Sequence, residues 1–350
     1  MSDLRVYDLG LVPWLDSQLI YHALPRLGME GLILLTPAQP YVCIGYHQDA
    51  EQEVDLAACQ AMSLPVFRRE VGGGAVYLDG GQIFYQVVLR RDHPLALGSR
   101  ADFYRRLLEP VAKTYRDLGV EAHYRPVNDI VTAGGRKISG NGAGEIGQGV
   151  VLVGNVLVDF DYERMVQVLR APDEKFRDKV HKSLRENLTT LRRELGEVPS
   201  REEILAHLRR NFEGVLGPLE EGELASQVGD EVARLAESHT TPAWLYGRRR
   251  RSGPRRVKIA GDTHVFQKVH KAPGGLIRAT VEVQGNRIVS VDLSGDFFIY
   301  PPTALGDLEA RLMGLPLEAV GEAVAGFYAD GGVESPGVAP ADWTAALAAQ

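Results

Sequence analysis

Two short segments concentrate residue types that could handle an anion. In NDIVTAGGRKISGNGAG, Asn128 and Asp129 stand eight or nine residues ahead of Lys137, with a glycine turn between them. A lysine fixed on a strand beside glycines can hold the negative charge that grows where a carboxylate attacks an α-phosphate, and an aspartate on the paired strand can hold magnesium. In FRREVGGGAVYLDGG, Arg68 and Arg69 precede three consecutive glycines, Gly72, Gly73 and Gly74. Such glycines let the backbone approach a bulky ligand with several N–H groups aimed at it, and a neighbouring guanidinium pairs with phosphate or carboxylate. No Lys-Ser or Lys-Thr follows, which excludes a Walker A loop, and a strand rather than a helix comes next, which excludes a dinucleotide fingerprint. Taken singly, each segment also fits a blander role: a tight turn beside solvated arginines, or a solvent-facing strand lysine after an Asn-Asp turn. Adenylation chemistry is the reading that uses both.

The elements that must position these residues are mixed. Segments 31–35, 41–45, 82–89, 129–131, 136–139 and 149–159 read as strands, with a hairpin turn at Thr132 to Gly135. Val54 to Met62 reads as a short helix, and Asp102 to Leu118 as a longer one with Asp102 as N-cap and Gly119 as stop. The stretch from Asp161 to about Asn211 is mostly helical, with Ser200 and Glu203 spaced as a capping box. Short strands joined by turns predict an α/β fold of the α+β type, with a mixed, mostly antiparallel sheet and flanking helices.

The 350 residues are 45% hydrophobic and 24% charged, a globular balance for which two domains are expected. Composition changes near Ser238, where TTPAWLYGRRRRSGPRR mixes proline, glycine and arginine. The expected division is 1–237, a basic linker at 238–256, and a small α+β domain at 257–350 with strands at 275–283 and 287–293. The formal charge of -7 argues against general nucleic-acid binding. With two cysteines, Cys43 and Cys59, neither a disulfide framework nor a zinc set is expected. No run of eighteen apolar residues or secretory signal occurs, so a cytoplasmic protein without a membrane partner is expected.

RREVGGGAVYLD, NDIVTAGGRKISGNG and GVVLVGNVLVDFD, in that order, resemble the signature of the biotin/lipoate protein ligase superfamily, specifically its lipoate-protein ligases. PYVCIGYHQDAEQEVDL upstream and APDEKFRDKVHKSLRENLTTL downstream extend the likeness over roughly residues 1 to 215. HKAPGGLIRATVEVQGNRIVSVDLSGDFFIYP is similar to the small accessory domain of these ligases. The resemblance implies ATP-dependent activation of lipoate to lipoyl-AMP, then transfer to a lysine of a carrier protein. It implies a catalytic Lys137, contacting both the lipoate carboxylate and the α-phosphate. It implies a site for ATP and lipoyl-AMP made of Arg69, Gly72, Gly73, Gly74, Ala75, Val76, Tyr77, Asn128, Asp129, Lys137, Ser139 and Gly140, with Asp129 holding Mg2+. The carrier is an E2 lipoyl domain, an H protein or an H-like lipoate-binding protein, and the ligase is expected to be a monomer.

Many members end the first motif aromatic-His-Asp, whereas this chain reads Tyr77-Leu78-Asp79. The departure bears on the acyl-tail pocket or on the contacts behind it. The rival reading is an octanoyl- or lipoyltransferase, which needs a cysteine near the lysine; Cys43 and Cys59 both read as packing residues. A non-catalytic lipoate binder would need neither Lys137 nor Asp129. The basic run Arg248 to Arg251 with Arg255 and Arg256 reads as a solvated linker, or as a face for an acidic carrier.

Overall fold

The computed structural model describes residues 4–171, 173–247, 257–258 and 262–348. The basic run Arg248 to Arg256 lies outside them. Six strands form the main sheet, in the order Asn141–Ile146, Gly149–Leu157, Gln82–Arg90, Gly31–Pro37, Leu4–Val12, Leu219–Glu221. Leu4–Val12 runs parallel to both of its neighbours, and the other pairs are antiparallel. The expected mixed sheet is present.

The run QIFYQVVL in Gln82–Arg90 is almost wholly apolar because both faces of this central strand are covered. Tyr85, Val87 and Leu89 face one core, closed by helices Arg100–Asp117 and Arg201–Leu216. Phe84 and Val88 face a second core, closed by helices Asp16–Arg26 and Ser226–His239 and by a small sheet of Val66–Arg68, Tyr41–Ile44 and Val76–Leu78. A third sheet pairs Ala122–Arg125, Asp129–Thr132 and Lys137–Ser139. Its last two strands are the expected lysine hairpin, turned through Gly135 at φ 79°.

Beyond the linker, Val257–Lys258, Thr263–Ala272, Gly275–Gln284 and Arg287–Gly295 form an antiparallel sheet. Alternation in Gly275–Gln284 turns Ile277, Ala279, Val281 and Val283 toward three helices packed around Trp343. The segment after this sheet leaves its own core: Phe298 and Tyr300 belong to the second core of the larger unit. Tyr300 donates its hydroxyl to the Ala143 carbonyl at 2.9 Å.

Several boundaries differ from expectation. Within Val54 to Met62 the helix is shorter, Leu56–Ala61, because Asp55 caps its start, and a separate turn of helix, Ala50–Glu53, capped by Asp49, precedes it. The long helix begins at Arg100, not Asp102: Ser99 is extended and its hydroxyl accepts the Asp102 N–H, leaving Asp102 in the first turn, where a carboxylate also suits the dipole. Ser200 caps its helix through the Glu203 N–H as expected. The division at 237/238 falls inside helix Ser226–His239. That helix, and the turn Pro242–Leu245 after it, pack on the first unit.

Candidate active site

A cavity of about 700 Å³, open mouth included, lies between the main sheet and the small one. Phe84, Gln86, Val153 and Asn155 line it from the main sheet, and Cys43, Val76 and Leu78 from the small one. Arg69, Gly73 and Gly74 form part of its wall, and the lysine hairpin contributes Asn128, Lys137 and Gly140. The Lys137 side chain is 33% exposed, whereas Tyr21, Cys43 and Gln86 are buried, so the lysine marks the open end.

Lys137 is held from two sides. Its Nζ lies 2.7 Å from Asp129 Oδ1 across the hairpin, and its carbonyl accepts the Thr189 N–H at 2.8 Å. Thr189 belongs to the SLRENLTTL segment, which ends helix Glu174–Asn187 and brings Leu188 beside Lys137. The other Asp129 oxygen pairs with Arg125 at 2.8 Å. Burial raises the Asp129 pKa, but Lys137 and Arg125 outweigh it and hold the carboxyl below its usual range. With both oxygens facing cations, Asp129 does not fit the part of a magnesium ligand; its geometry fits holding the lysine.

The glycine loop is stitched shut by its own arginine. Arg69 donates to the carbonyls of Gly72 at 2.7 Å and Gly74 at 2.9 Å, with Gly73 at φ 91° between them. Outside stands the C-terminal segment: a Cβ on Gly72 would meet the Phe297 carbonyl at 2.8 Å, and one on Gly73 would meet the Phe298 ring at 3.1 Å. Arg68, by contrast, is buried and points away. It donates to the carbonyls of Gly45, Tyr46, Trp244 and Leu245, and so ties the turn after helix Ser226–His239 to this loop.

Glu70 accepts from His239 at 2.7 Å and from Arg26. His22, Glu70 and His239 bring three potential ligand atoms within 4.8 Å of one another. A cation would meet Arg26 there, and His22 Nε2 already accepts the Glu70 N–H at 3.3 Å, so an ion-pair cluster is what the geometry makes. Burial drives the His22 pKa down to about 3, and Glu70 sits at about 2 because His22, His239 and Arg26 override its own burial.

Seven of the twelve expected site residues line the cavity: Arg69, Gly73, Gly74, Val76, Asn128, Lys137 and Gly140. The other five stand behind it. Tyr77 faces outward because strand residues alternate, so Val76 and Leu78 point in, and its ring packs with Phe160. Ala75 joins the same outer cluster, Gly72 lies under Phe297, and Asp129 backs the lysine. Ser139 is buried, donating to the Asn155 carbonyl at 2.6 Å. Leu78 lines the cavity interior.

Sequence reasoning missed Gln18, Tyr21, Phe84, Gln86, Asn141 and Asn155 as cavity residues, and took Cys43 for packing alone. A glutamine recurring at two-residue spacing from Phe84 inside an apolar strand was the available signal for Gln86. Cys43 is buried, and that burial raises its thiol pKa in spite of nearby Arg69.

The main sheet, the small sheet, the glycine loop and the lysine hairpin thus meet on one cavity. The family model of the lipoyl protein ligase A/B catalytic domain matches residues 15–213, and the chain belongs to that family. It is 31% identical to the octanoyltransferase LipM of Kyrpidia tusciae over 230 residues, which cover 59% of this chain and 83% of that protein. Among solved structures it is similar to one from a study of a bipartite lipoate protein ligase and its E2 lipoyl domain from Thermoplasma acidophilum. There the TM-score is 0.63 at 28% identity, over 73% of this chain and all of that one. It is also similar to a lipoate-protein ligase A bound with ATP, with TM-score 0.60 at 26% identity over 70% of this chain and 99% of that one. No helix among the described residues is long and apolar enough to cross a membrane.

Proposed function

We propose that the protein is an ATP-dependent lipoate-protein ligase. The carrying observation is Lys137, a cation pinned at the open end of a cavity whose only thiol, Cys43, is buried with a raised pKa. The acid's tail enters the apolar interior and its carboxylate stays beside Lys137. A carboxylate oxygen bonds to the α-phosphorus of ATP as the bond to pyrophosphate breaks, and the Nζ charge offsets the negative charge that builds there. The amine of a carrier lysine then attacks the acyl carbon, an amide forms, and AMP leaves. A carrier of the E2 lipoyl domain or H-protein type is the expected acceptor. Asp129 positions Lys137 in this scheme, and the segment from Val257 acts as an accessory domain that braces the glycine loop through Phe297 and Phe298.

The likeness to an octanoyltransferase, together with Cys43 in the cavity wall, favours one second reading: a transferase that takes its acyl group from a carrier thioester. A thiolate would be required, and burial disfavours it. Two assays on one preparation separate the readings. Lipoate-dependent ATP/pyrophosphate exchange, lost in Lys137→Ala and kept in Cys43→Ser, supports the ligase. Octanoyl transfer from an octanoyl carrier without ATP, lost in Cys43→Ser, would establish the transferase.

A further inference from the structure

The buried end of the cavity contains one polar atom with nothing to bind. Gln86 is 1% exposed, and its amide nitrogen donates to the Ser17 carbonyl at 2.7 Å. That bond fixes the amide, because turning it over would set two acceptors against each other. Its oxygen Oε1 is then left buried without a partner. The groups around it are already paired. Gln18 donates to the Tyr41 hydroxyl at 2.6 Å, Tyr21 donates to Gln18 Oε1 at 2.9 Å, and Ser17 donates to the Trp14 carbonyl at 2.6 Å. Among the described residues lining the cavity, Gln86 alone has such an orphaned side-chain atom.

Its depth suits the end of an acyl chain. Phe84 pairs with Asn155 and Gln86 with Val153, and Asn155 accepts the Gly140 N–H at 2.9 Å beside the lysine hairpin. Gln86 therefore lies one inward-facing pair further from Lys137, about 7 Å along the strand. An alkyl end supplies no donor, and a closed dithiolane supplies only sulfur acceptors.

We propose that Gln86 reads the far end of the acyl chain and selects a medium-length acid that ends in a hydrogen-bond donor, as the dithiol of dihydrolipoate does. The inference rests on the reading of this cavity as the acyl site, and it ranks dihydrolipoate above both oxidised lipoate and octanoate. Selectivity comes from a hydrogen bond that a donor-ended tail makes to an acceptor already buried, and that an alkyl end or a closed ring does not make.

Calorimetric binding of the free acids to the full chain, in the absence of ATP, tests it. Dihydrolipoate under reductant should bind about tenfold more tightly than octanoate. Gln86→Met should bring that ratio close to one by weakening dihydrolipoate alone, with octanoate bound as before, which a damaged fold would not give. 8-Hydroxyoctanoate should likewise lose its advantage over octanoate in the variant. Equal affinities in the unaltered protein, a ratio that survives Gln86→Met, or no binding of any acid would each overturn the proposal. Pyrophosphate exchange on the same samples judges the ligase reading separately: acids that bind in the expected order without exchange leave the selection standing and remove the adenylation.

Discussion

The glycine loop and the lysine hairpin look alike as sequence, each a cluster of cations and glycines, yet they use their charges in opposite ways. In the loop, Arg68 is buried against backbone carbonyls, Glu70 is enclosed by His22, Arg26 and His239, and Arg69 spends its donors on the loop itself. In the hairpin, Lys137 keeps a third of its side chain exposed and is held by one carboxylate. The first arrangement builds a wall. The second presents a charge. The lesson is that a dense motif marks a site without saying which of its residues meet the ligand; burial and partners decide that.

Four measurements press on this contrast, and the largest effect is expected at the hairpin. Lys137→Ala should lower lipoate-dependent pyrophosphate exchange by about a thousandfold, since a preorganised charge at the reacting phosphate is lost. Its unfolding free energy should stay nearly unchanged, because a partly exposed ion pair contributes little. A large loss of stability would make the lysine architectural after all.

Arg68→Met should do the reverse. Removing the guanidinium strands the buried carbonyl of Gly45 and the half-buried ones of Tyr46 and Leu245, at a cost of about 3 kcal/mol read by denaturant unfolding. Exchange per folded molecule should be largely kept. An inactive but fully stable Arg68 variant would move this residue into the chemistry.

Asp129→Asn is expected to lower the exchange rate about tenfold while magnesium dependence stays as it was, as for a residue that positions Lys137 rather than binding metal. A raised magnesium requirement in the variant would return Asp129 to the metal role.

The smallest effect concerns pH. His22 is buried neutral, its pKa driven down to about 3 first by burial, against the pull of Glu70 and with help from His239, Arg26 and Arg69. Between that value and 6.5 the unfolded chain binds the extra proton, so stability rises with pH there and is lost as pH falls below 6.5. Glu70, lowered to about 2, acts in the same direction below its ordinary 4.5. Unfolding free energy should thus drop on the order of 1 kcal/mol between neutral pH and about one pH unit below 6.5. A His22→Phe variant should flatten that slope; an unchanged slope would clear the cluster of any part in it.

How much of this was legible follows the range of the interactions. The hairpin could be read because turn chemistry and alternation are local: Gly135 had to turn the chain and put Lys137 on the strand beside Asp129–Thr132, although its pairing with Asp129 itself was not read. The same period sets Val76 and Leu78 inside and Tyr77 outside, which the resemblance, placing Tyr77 in the site, had passed over. The fate of Arg68 could not be read, since the carbonyls it binds at Trp244 and Leu245 lie 176 and 177 residues away. The domain division was set too early for a related reason. Composition changes where the chain begins to leave the core, whereas helix Ser226–His239 packs on helix Asp16–Arg26 across the marked point. Gln86 hid inside an apolar strand, because one glutamine there looks like a tolerated exception until the wall it belongs to is seen.

The most direct trial of the contrast is lipoate-dependent ATP/pyrophosphate exchange on Lys137→Ala and Arg68→Met side by side, each normalised to the folded fraction measured on the same sample. A folded, inactive lysine variant beside a less stable arginine variant that exchanges whenever folded is the predicted result. Exchange that survives without Lys137, or disappears from fully folded Arg68→Met, would contradict the account.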